Sequence, residues 1–429
     1  MKEKNLRKTH RKWYRLDTAA LIFPAIARRD WCNAFRLSAT LTEKVDETVL
    51  QRAVDDLRPR FPSFFVTLRR GLFWYYLEES QRPVAVREDF AYPLTFMRRK
   101  ELRQNCLRVL VWENRVAVEM FHSLSDGRGG TVFLCSLLAR YLEIRYGIAV
   151  PKEDPIRDLT QPPPAEEMED SFFRYAAQAP SSRAETRAFR LGGTGDADGF
   201  KTLTCGIVDT KALLDAAHAF GVSVTAFLGA VMAQSIIGMQ QSLRPVRRQK
   251  PVKITFPVDL RRLFPSRTLR NFSLVVNAGV DPRFGEYSAK ELSLALWHQL
   301  CAGATRQNMA GMIASNVEPQ QNTALRLAPV FLKNAVMNLI YRRSEAGGCL
   351  NISNLGQITL PEAMRAYVKR LDFVIGPQKS YPNNCSVVSF GGKTCINMIR
   401  NIRESELERR FFSALVELGV PVEIECNRR

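Results

Sequence analysis

Acidic residues, histidines and closely spaced cysteines are all scarce in this sequence of 429 residues, and each scarcity excludes a class of protein. The 62 Lys and Arg residues outnumber the 43 Asp and Glu residues, which gives a formal net charge of +19 and favours anionic partners. No two of the nine cysteines lie closer than ten residues, so no CxxC or zinc-finger spacing occurs. This odd, scattered set predicts reduced thiols in a cytoplasmic protein without a metal site.

Long apolar runs are also lacking. The start of the chain, Met1–Lys12, is basic and polar, and no apolar segment resembling the core of a signal peptide follows it. The most apolar stretch, Ala219–Met239, is interrupted by glycines and polar residues. It predicts a buried helix, because a membrane span needs about 20 predominantly apolar residues. No zinc finger, RNA-recognition signature or basic dimerisation helix accompanies the positive charge, so we do not expect nucleic acid as a partner.

What the sequence does contain is an alternation of strand and helix patterns in two stretches. The first stretch includes a hairpin formed by Cys106–Trp112 and Arg115–Phe121. Residues 151–200 are rich in Pro and Gly and carry an acidic cluster, which is typical of a surface connection. The mixed pattern then resumes. The sequence therefore predicts two α/β lobes, at 1–150 and 201–429, joined by a crossover linker.

One of the four histidines stands in a context that indicates chemistry. His122 follows a predicted strand on its apolar face, and a helix is predicted shortly afterwards. This strand delivers an imidazole to a loop, where the ring can accept and return a proton near neutral pH. Asp126 is spaced to fix the loop, and Gly127 allows a tight backbone. A core histidine without a catalytic role is the alternative. The remaining histidines lie in a basic tail or in predicted helices: His10, His218 and His298.

The pattern His-x-x-x-Asp-Gly at His122–Gly127 resembles the signature of the CoA-dependent acyltransferase superfamily. Its members include chloramphenicol acetyltransferase, plant-type acyl transferases, alcohol acetyltransferases and the condensation domains of peptide synthetases. Two later segments are similar to the alcohol acetyltransferase and condensation-like branch, namely Pro257–Arg262 followed by Asn271-Phe272, and Ser353–Gly356. The segment Ser389–Gly392 departs from the Asp-Phe-Gly-Trp-Gly of plant-type members. We expect no fused carrier domain, which disfavours an assembly-line condensation domain.

The resemblance implies a fold of two chloramphenicol-acetyltransferase-like lobes, each a mixed β-sheet flanked by helices, with a tunnel between them. It also implies that His122 is the general base, which takes the proton of the acceptor as the acceptor attacks an acyl thioester. Asp126 is implied to be structural and to pair with an arginine. Arg261 is the first candidate for that partner and Arg262 the next.

Polar residues of the second lobe are further candidates for the site. Ser353 and Asn354 are expected to line the tunnel or, equally, to form a turn at the end of a strand. Asn271 belongs to the segment that matches the family in the second lobe. Residues 244–270 are strongly basic, and we expect a basic rim there, including Arg244, Arg247 and Arg248, at the tunnel mouth. The alternative is a solvated basic face.

These features predict an acyl-CoA-dependent O-acyltransferase that moves an acetyl or short to medium acyl group to an alcohol. Acyl-CoA is the expected co-substrate, and no permanently bound cofactor is expected. The acceptor is an alcohol or an amine, and an acidic acyl carrier protein is the alternative donor. A condensation-like protein that forms an amide or ester, or a binding member of the superfamily without catalysis, are the alternative functions. We expect a cytoplasmic monomer without a transmembrane segment.

Overall fold

The structure is a computed structural model that describes residues 12–27, 33–176, 186–196, 199–378 and 381–428. These residues form a mixed α/β architecture, as the sequence predicts. The strands are β1 (Trp13–Arg15), β2 (Ala34–Leu41), β3 (Val66–Arg70), β4 (Tyr75–Glu79), β5 (Val86–Glu88), β6 (Leu107–Trp112), β7 (Arg115–Phe121), β8 (Thr202–Asp209), β9 (Val252–Asp259), β10 (Ser273–Val280), β11 (Leu350–Gln357), β12 (Val368–Ile375), β13 (Asn383–Phe390), β14 (Lys393–Arg400) and β15 (Glu423–Cys426).

The α-helices connect these strands and cover the sheets. They are α1 (Ile22–Ile26), α2 (Glu47–Leu57), α3 (Arg99–Leu102), α4 (Gly127–Tyr146), α5 (Ser171–Tyr175), α6 (Thr210–Ala219), α7 (Val224–Leu243), α8 (Ala289–Gly303), α9 (Arg306–Gln321), α10 (Thr323–Leu327), α11 (Val330–Ser344), α12 (Glu362–Arg365) and α13 (Glu406–Glu417). Short 3-10 turns occur at Ala165–Met168, Val246–Arg248, Leu260–Arg262, Pro282–Phe284 and Glu345–Gly347.

The first large sheet has five strands in the order β12-β2-β7-β6-β5. The predicted hairpin β6–β7 is present, with Trp112 opposite Arg115 across its turn. Strand β2 is buried along almost its whole length, and helix α4 contacts it and packs against α2. Helix α4 ends at Gly147, which adopts a left-handed conformation (φ 67°) that favours glycine. A small separate sheet, β1-β4-β3, adjoins this lobe.

The second large sheet has seven strands in the order β10-β9-β11-β13-β14-β8-β15. Its central strands β13 and β14 are buried along almost their whole length. Helix α7 contains most of the apolar stretch and packs against α8, α13 and β9, which agrees with the predicted buried helix. In the described part of the chain no single helix is both long and apolar enough to cross a membrane, although the bent pair α6 and α7 passes the same test together.

Strand β12 connects the two parts of the chain. It lies within the range predicted for the C-terminal lobe, but it pairs antiparallel with β2 of the five-stranded sheet, with Ile375 opposite Phe35. Leu371 and Phe373 of this strand belong to the same buried cluster as the core of the N-terminal part. The C-terminal part of the chain therefore completes the N-terminal sheet.

Candidate active site

A cavity of about 1740 Å³ lies between the two large sheets, and His122 is on its wall. His122 directly follows β7, and its backbone N–H donates to the carbonyl oxygen of Asn33 (2.8 Å). The ring of Phe23 stacks on the imidazole with 4.3 Å between centroids, and Phe35 meets it edge-on at 5.2 Å. These two aromatic contacts fix the plane of the imidazole ring within the cavity wall.

Burial lowers the pKa of His122 below its ordinary value, because the protonated ring loses its hydration. The carbonyl oxygens nearby, the charge of Asp126 and the hydrogen bond to Asn271 act in the opposite direction and offset part of this effect. The imidazole is therefore neutral at neutral pH, which is the state that a general base requires.

Asn271 orients the imidazole from the second lobe. Its Oδ1 lies 3.0 Å from Nδ1 of His122, and its Nδ2 donates to Oδ2 of Asp17 (3.1 Å). Because the Asn271 amide uses its N–H toward Asp17, its carbonyl oxygen faces the imidazole and accepts from Nδ1–H. This assignment leaves Nε2 of His122 without a proton and available to accept one.

Asp17 is a residue of this site that sequence reasoning missed. It is fully buried, its Oδ1 accepts from the N–H of Ala20 (2.7 Å), and Nε of Arg270 lies 3.6 Å from Oδ2. Burial raises the pKa of Asp17 to about 6, while the charge of Arg270 and the hydrogen bond from Asn271 act to lower it. Asp17 is 254 residues from Asn271 along the chain. The one signal in the sequence is a carboxylate that follows Leu16 and precedes a run of small residues.

Asp126 holds the loop after His122 against the second lobe. Its carboxylate accepts from the guanidinium of Arg261 (2.9 and 3.3 Å) and from the N–H of Phe272 (2.8 Å). It also caps helix α4 by accepting from the N–H of Gly129 (3.2 Å). Arg261 additionally donates to Asp259 (2.9 Å). With all of these partners, Asp126 joins the two lobes through its carboxylate.

The structure separates the two candidate arginines. Arg261 pairs with Asp126, whereas Arg262 is exposed and lies on the cavity wall.

Gly127 has a role different from the expected one. Its backbone is helical and needs no unusual conformation, but a Cβ there would lie 2.6 Å from Cδ2 of Leu355. Glycine thus leaves room for the end of the Leu355 side chain and is not needed for a tight turn.

Ser353 and Asn354 both lie on the cavity wall, on strand β11. Oδ1 of Asn354 accepts from the N–H of Gly356 (2.8 Å), and its Nδ2 donates to the hydroxyl of Thr225 (3.1 Å). Asn354 therefore forms a turn with its own side chain inside β11, at the register shift between Asn354 and Gln357 and not at the end of the strand, and this position also borders the cavity.

The predicted basic rim is wrong for three of its residues. Arg244, Arg247 and Arg248 are exposed, but they are not among the described residues that line the cavity, because they follow the far end of helix α7. The basic residues on the cavity wall are others. Of these, Arg262 and Arg267 come from the basic segment 244–270.

One group of side chains within the described residues could offer metal ligands, and it lies apart from the cavity. Cys205, Asp372 and Cys395 are buried with their ligand atoms within 4.8 Å of one another. Asp372 is already engaged by Arg370 (2.8 Å) and Asn397 (3.3 Å), and the pKa of the Cys395 thiol is raised. With the Cys205 thiol also directed at Asp372, these contacts describe a hydrogen-bonded core cluster. The eight cysteines of the described chain are free, and Cys32 and His10 lie outside the described residues.

Comparison with known proteins identifies the fold. No family model and no curated protein matches the chain. Among solved structures, F. graminearum TRI101 complexed with ethyl coenzyme A matches with a TM-score of 0.61 and 11% identity, covering 96% of this chain and 99% of that one. Polyketide synthase associated protein 5 from Mycobacterium tuberculosis matches with a TM-score of 0.59 and 15% identity, covering 93% of this chain and 96% of that one. The wax ester synthase/diacylglycerol acyltransferase from Marinobacter aquaeolei VT8 matches with a TM-score of 0.54 and 15% identity, covering 94% of this chain and 100% of that one.

At these identities the similarity establishes the fold. The chain has the two-lobe fold of the chloramphenicol acetyltransferase type, which the resemblance at His122–Gly127 implied, and this prediction is confirmed.

Proposed function

We propose that the protein is an acyltransferase that moves an acyl group from acyl-CoA to the hydroxyl group of an acceptor, with His122 as the general base. The observation that carries the proposal is the position of His122 on the wall of the inter-lobe cavity, with Nδ1 held by Asn271 and Nε2 left as the basic atom. Two proteins with the same fold support it, since F. graminearum TRI101 is complexed with ethyl coenzyme A and the Marinobacter aquaeolei protein is a wax ester synthase/diacylglycerol acyltransferase.

The proposed reaction proceeds in two proton transfers without an acyl-enzyme. Nε2 of His122 takes the acceptor O–H proton as the acceptor oxygen attacks the thioester carbonyl carbon. The tetrahedral intermediate then collapses, the C–S bond breaks, and the departing CoA sulfur receives the proton from the imidazolium. The Asn271–Asp17 pair keeps Nδ1–H in place in both states. Ser353, whose hydroxyl group lies on the cavity wall, is our candidate donor to the oxyanion.

The proposal also covers how the two substrates are positioned. The fold offers one cavity with walls from both lobes, so the donor and the acceptor can meet at His122 within it. Alignment of two bound substrates supplies a large part of the rate acceleration in a reaction of this kind. Arg262 and Arg267 lie on the wall of the cavity and are our candidates to contact the phosphates of CoA.

The decisive experiment is a substrate panel with a matched pair of histidine variants. Several acyl-CoAs are crossed with alcohols and amines, products are identified by mass spectrometry, and release of free CoA gives the rate. We expect His122→Ala to lose roughly 10²–10⁴-fold in kcat while its circular dichroism spectrum is unchanged. His218→Ala, on the exposed surface of α6, should keep the wild-type rate. A folded His122→Ala protein with wild-type turnover would refute the assignment of the base.

A further inference from the structure

Helix α11 is inverted relative to an ordinary surface helix. A surface helix normally turns its apolar stripe to the core and its polar face to water. In α11 the exposed positions of the first three turns recur at helical spacing, and every one of them is apolar. The exposed residues, which we call the apolar stripe, are Phe331, Leu332, Ala335, Val336, Leu339 and Ile340.

The polar side chains of α11 that precede Arg342 face the protein and are hydrogen-bonded there. Nζ of Lys333 donates to the carbonyl oxygen of Phe73 (2.7 Å), and Nδ2 of Asn338 donates to that of Ala25 (2.8 Å). The same inward side carries further hydrogen bonds from Asn334 to the Tyr75 hydroxyl group and from the Tyr341 hydroxyl group to Gln378. The helix is therefore anchored through polar contacts, and the fold does not use the apolar stripe.

Other exposed apolar residues extend the stripe into a patch. Leu327 of α10 is 63% exposed, and Leu72, in the turn between β3 and β4, is 69% exposed. The carbonyl oxygen of Leu72 accepts from the N–H of Val330 (2.8 Å), so this turn lies at the start of α11. Trp74 in the same turn is 45% exposed and contacts the ammonium group of Lys333, 5.7 Å from its ring centroid. A contiguous exposed apolar surface of this kind marks an interaction site.

Within α10, α11 and the residues that join them, the charge has one sign. Residues 322–344 contain four basic residues and no acidic residue. Arg342 and Arg343 are exposed in the last turn of α11, and Arg326 is exposed in α10. An apolar helix face bordered by basic residues and a tryptophan is the composition that suits the interface of an anionic bilayer.

We propose that the patch formed by α11, α10 and the β3–β4 turn docks on an anionic lipid bilayer, with α11 lying in the plane of the interface. A second copy of this chain fits the patch less well. A two-fold symmetric contact would place the basic residues of one copy against those of the other, and juxtaposed like charges are unfavourable. A negatively charged membrane surface instead attracts each of them.

The docked face is continuous with the cavity. Met337, Ile340 and Tyr341 line the cavity as well as belonging to α11, and α11 packs on α1. Phe23 of α1 stacks on His122. A bilayer held against α11 would thus lie beside the wall of the cavity that contains His122. We infer that the acceptor is an amphipathic alcohol taken from the bilayer, and this second step rests on the proposed function.

The test uses the full chain and vesicles of two compositions. Flotation is measured with vesicles of phosphatidylcholine mixed with phosphatidylglycerol and with phosphatidylcholine alone. We expect binding to the anionic vesicles, and a loss of about tenfold or more in the partition coefficient for the double variant Leu332→Asn/Leu339→Asn. Arg342→Gln/Arg343→Gln should weaken binding by about 30-fold at low salt and by less at high salt. The matched control is Leu214→Asn/Leu243→Asn, at two exposed leucines elsewhere, which should bind normally.

Three results would overturn the docking proposal. They are absence of wild-type binding to anionic vesicles, an equal loss of binding in the control, and a wild-type dimer that Leu332→Asn/Leu339→Asn converts to monomer. Acyl transfer is assayed in parallel with a short soluble alcohol and with a long-chain alcohol in the vesicles. The double variant should keep the first activity and lose the second. Vesicle binding without any acyl transfer would refute the proposed function and leave the docking surface supported.

Discussion

Asn271 is the residue whose role at the site can be separated most clearly from a structural one. Its amide oxygen accepts from Nδ1 of His122, and this hydrogen bond raises the pKa of an imidazole that burial lowers. In the wild-type protein the pKa of His122 is lowered overall, so the imidazolium loses its proton at a pH below about 6.5. The base is active once it is neutral. The acidic limb of kcat/KM should therefore have its midpoint below pH 6.5 or so, with activity lost as the pH falls through it.

We predict that Asn271→Ala lowers kcat by roughly tenfold or more and moves the acidic limb to still lower pH. The rate falls because nothing then selects the ring tautomer with a free Nε2, and the limb moves because a hydrogen bond to the protonated ring is lost. Asn354→Ala is the control, since Asn354 lines the same cavity but bonds to Thr225 and Gly356. An unchanged pH profile and kcat in Asn271→Ala would show that Asn271 does not position the base.

Asp126 should contribute to stability as well as to rate. Asp126→Asn leaves the guanidinium of Arg261, whose side chain is 11% exposed, without its main charged partner. Breaking a buried ion pair costs roughly 3–5 kcal/mol. We expect urea unfolding to show a fall of this order. Asp215→Asn, which removes an exposed partner of Lys211, should leave the unfolding curve unchanged. If Asp126→Asn kept the full stability but lost activity, Asp126 would belong to the chemistry.

At the scale of elements, the start of helix α4 is fitted closely against the second lobe. A Cβ at Gly129 would lie 2.1 Å from the carbonyl oxygen of Leu269 and 2.1 Å from the hydroxyl oxygen of Ser125. The Leu269 oxygen is backbone, so it cannot swing away. At Gly127 the nearest atom is the end of the Leu355 side chain, which can move.

We therefore predict that Gly129→Ala destabilises the protein by about 1–3 kcal/mol or more, and Gly127→Ala by less. Gly192→Ala is the control, because nothing lies within 4 Å of a Cβ there. Thermal unfolding of the three variants gives the comparison. Equal melting temperatures for Gly129→Ala and the control would mean that the two lobes can separate at this contact without cost.

The sequence predicts elements well where local pattern and packing agree. The hairpin β6–β7 lies where the periodicity places it. Apolar residues at helical spacing predict a helix over Glu47–Leu57, and α2 has these bounds. The apolar periodicity after His122 predicts a helix from Thr131, but α4 begins at Gly127, because Asp126 caps a first turn whose glycines suggest a loop. The pattern over Thr323–Tyr341 predicts one helix, but the chain turns before Pro329 and forms α10 and α11. Helix α9 was not predicted, and its sequence shows little apolar periodicity.

The residues of the site also differ in whether local sequence is enough to predict them. His122 and Asp126 lie in one short motif, so local sequence is enough to select them. The resemblance makes Arg261 the first candidate for the partner of Asp126 and Arg262 the next, and the ion pair in the structure is with Arg261. Asp17 and the pairing of β12 with β2 depend on contacts between segments far apart in the chain. No periodicity or spacing encodes such contacts, so the structure was needed to find them.

At the scale of the whole molecule, the +19 charge is distributed over several surfaces, and of the six arginines on the described cavity wall Arg262 and Arg267 are the two that are exposed. We predict that Arg262→Gln/Arg267→Gln raises the KM for acyl-CoA several-fold at low salt, since each exposed charge pair is worth about 1 kcal/mol or less. The effect should shrink as salt is added, and the KM for the acceptor should not change.

The matched control for these two arginines is Arg247→Gln/Arg248→Gln, which removes the same charge from an exposed site away from the cavity. Initial rates over a range of acyl-CoA and salt concentrations distinguish a local contact from the net charge. An equal rise in KM for both double variants would show that only the overall charge attracts the donor.

The crossing of β12 into the first sheet has a consequence for synthesis of the protein on the ribosome. The N-terminal part of the chain emerges first, yet the edge of β2 has no partner until residues 368–375 have been made. For most of translation the nascent chain must expose an open, apolar strand edge, a feature that promotes aggregation. A fragment of residues 1–200 should accordingly be insoluble when produced alone and should be recovered in soluble form when a fragment containing residues 201–429 is co-expressed. A soluble, folded 1–200 fragment would show that nascent chains close this sheet edge in another way.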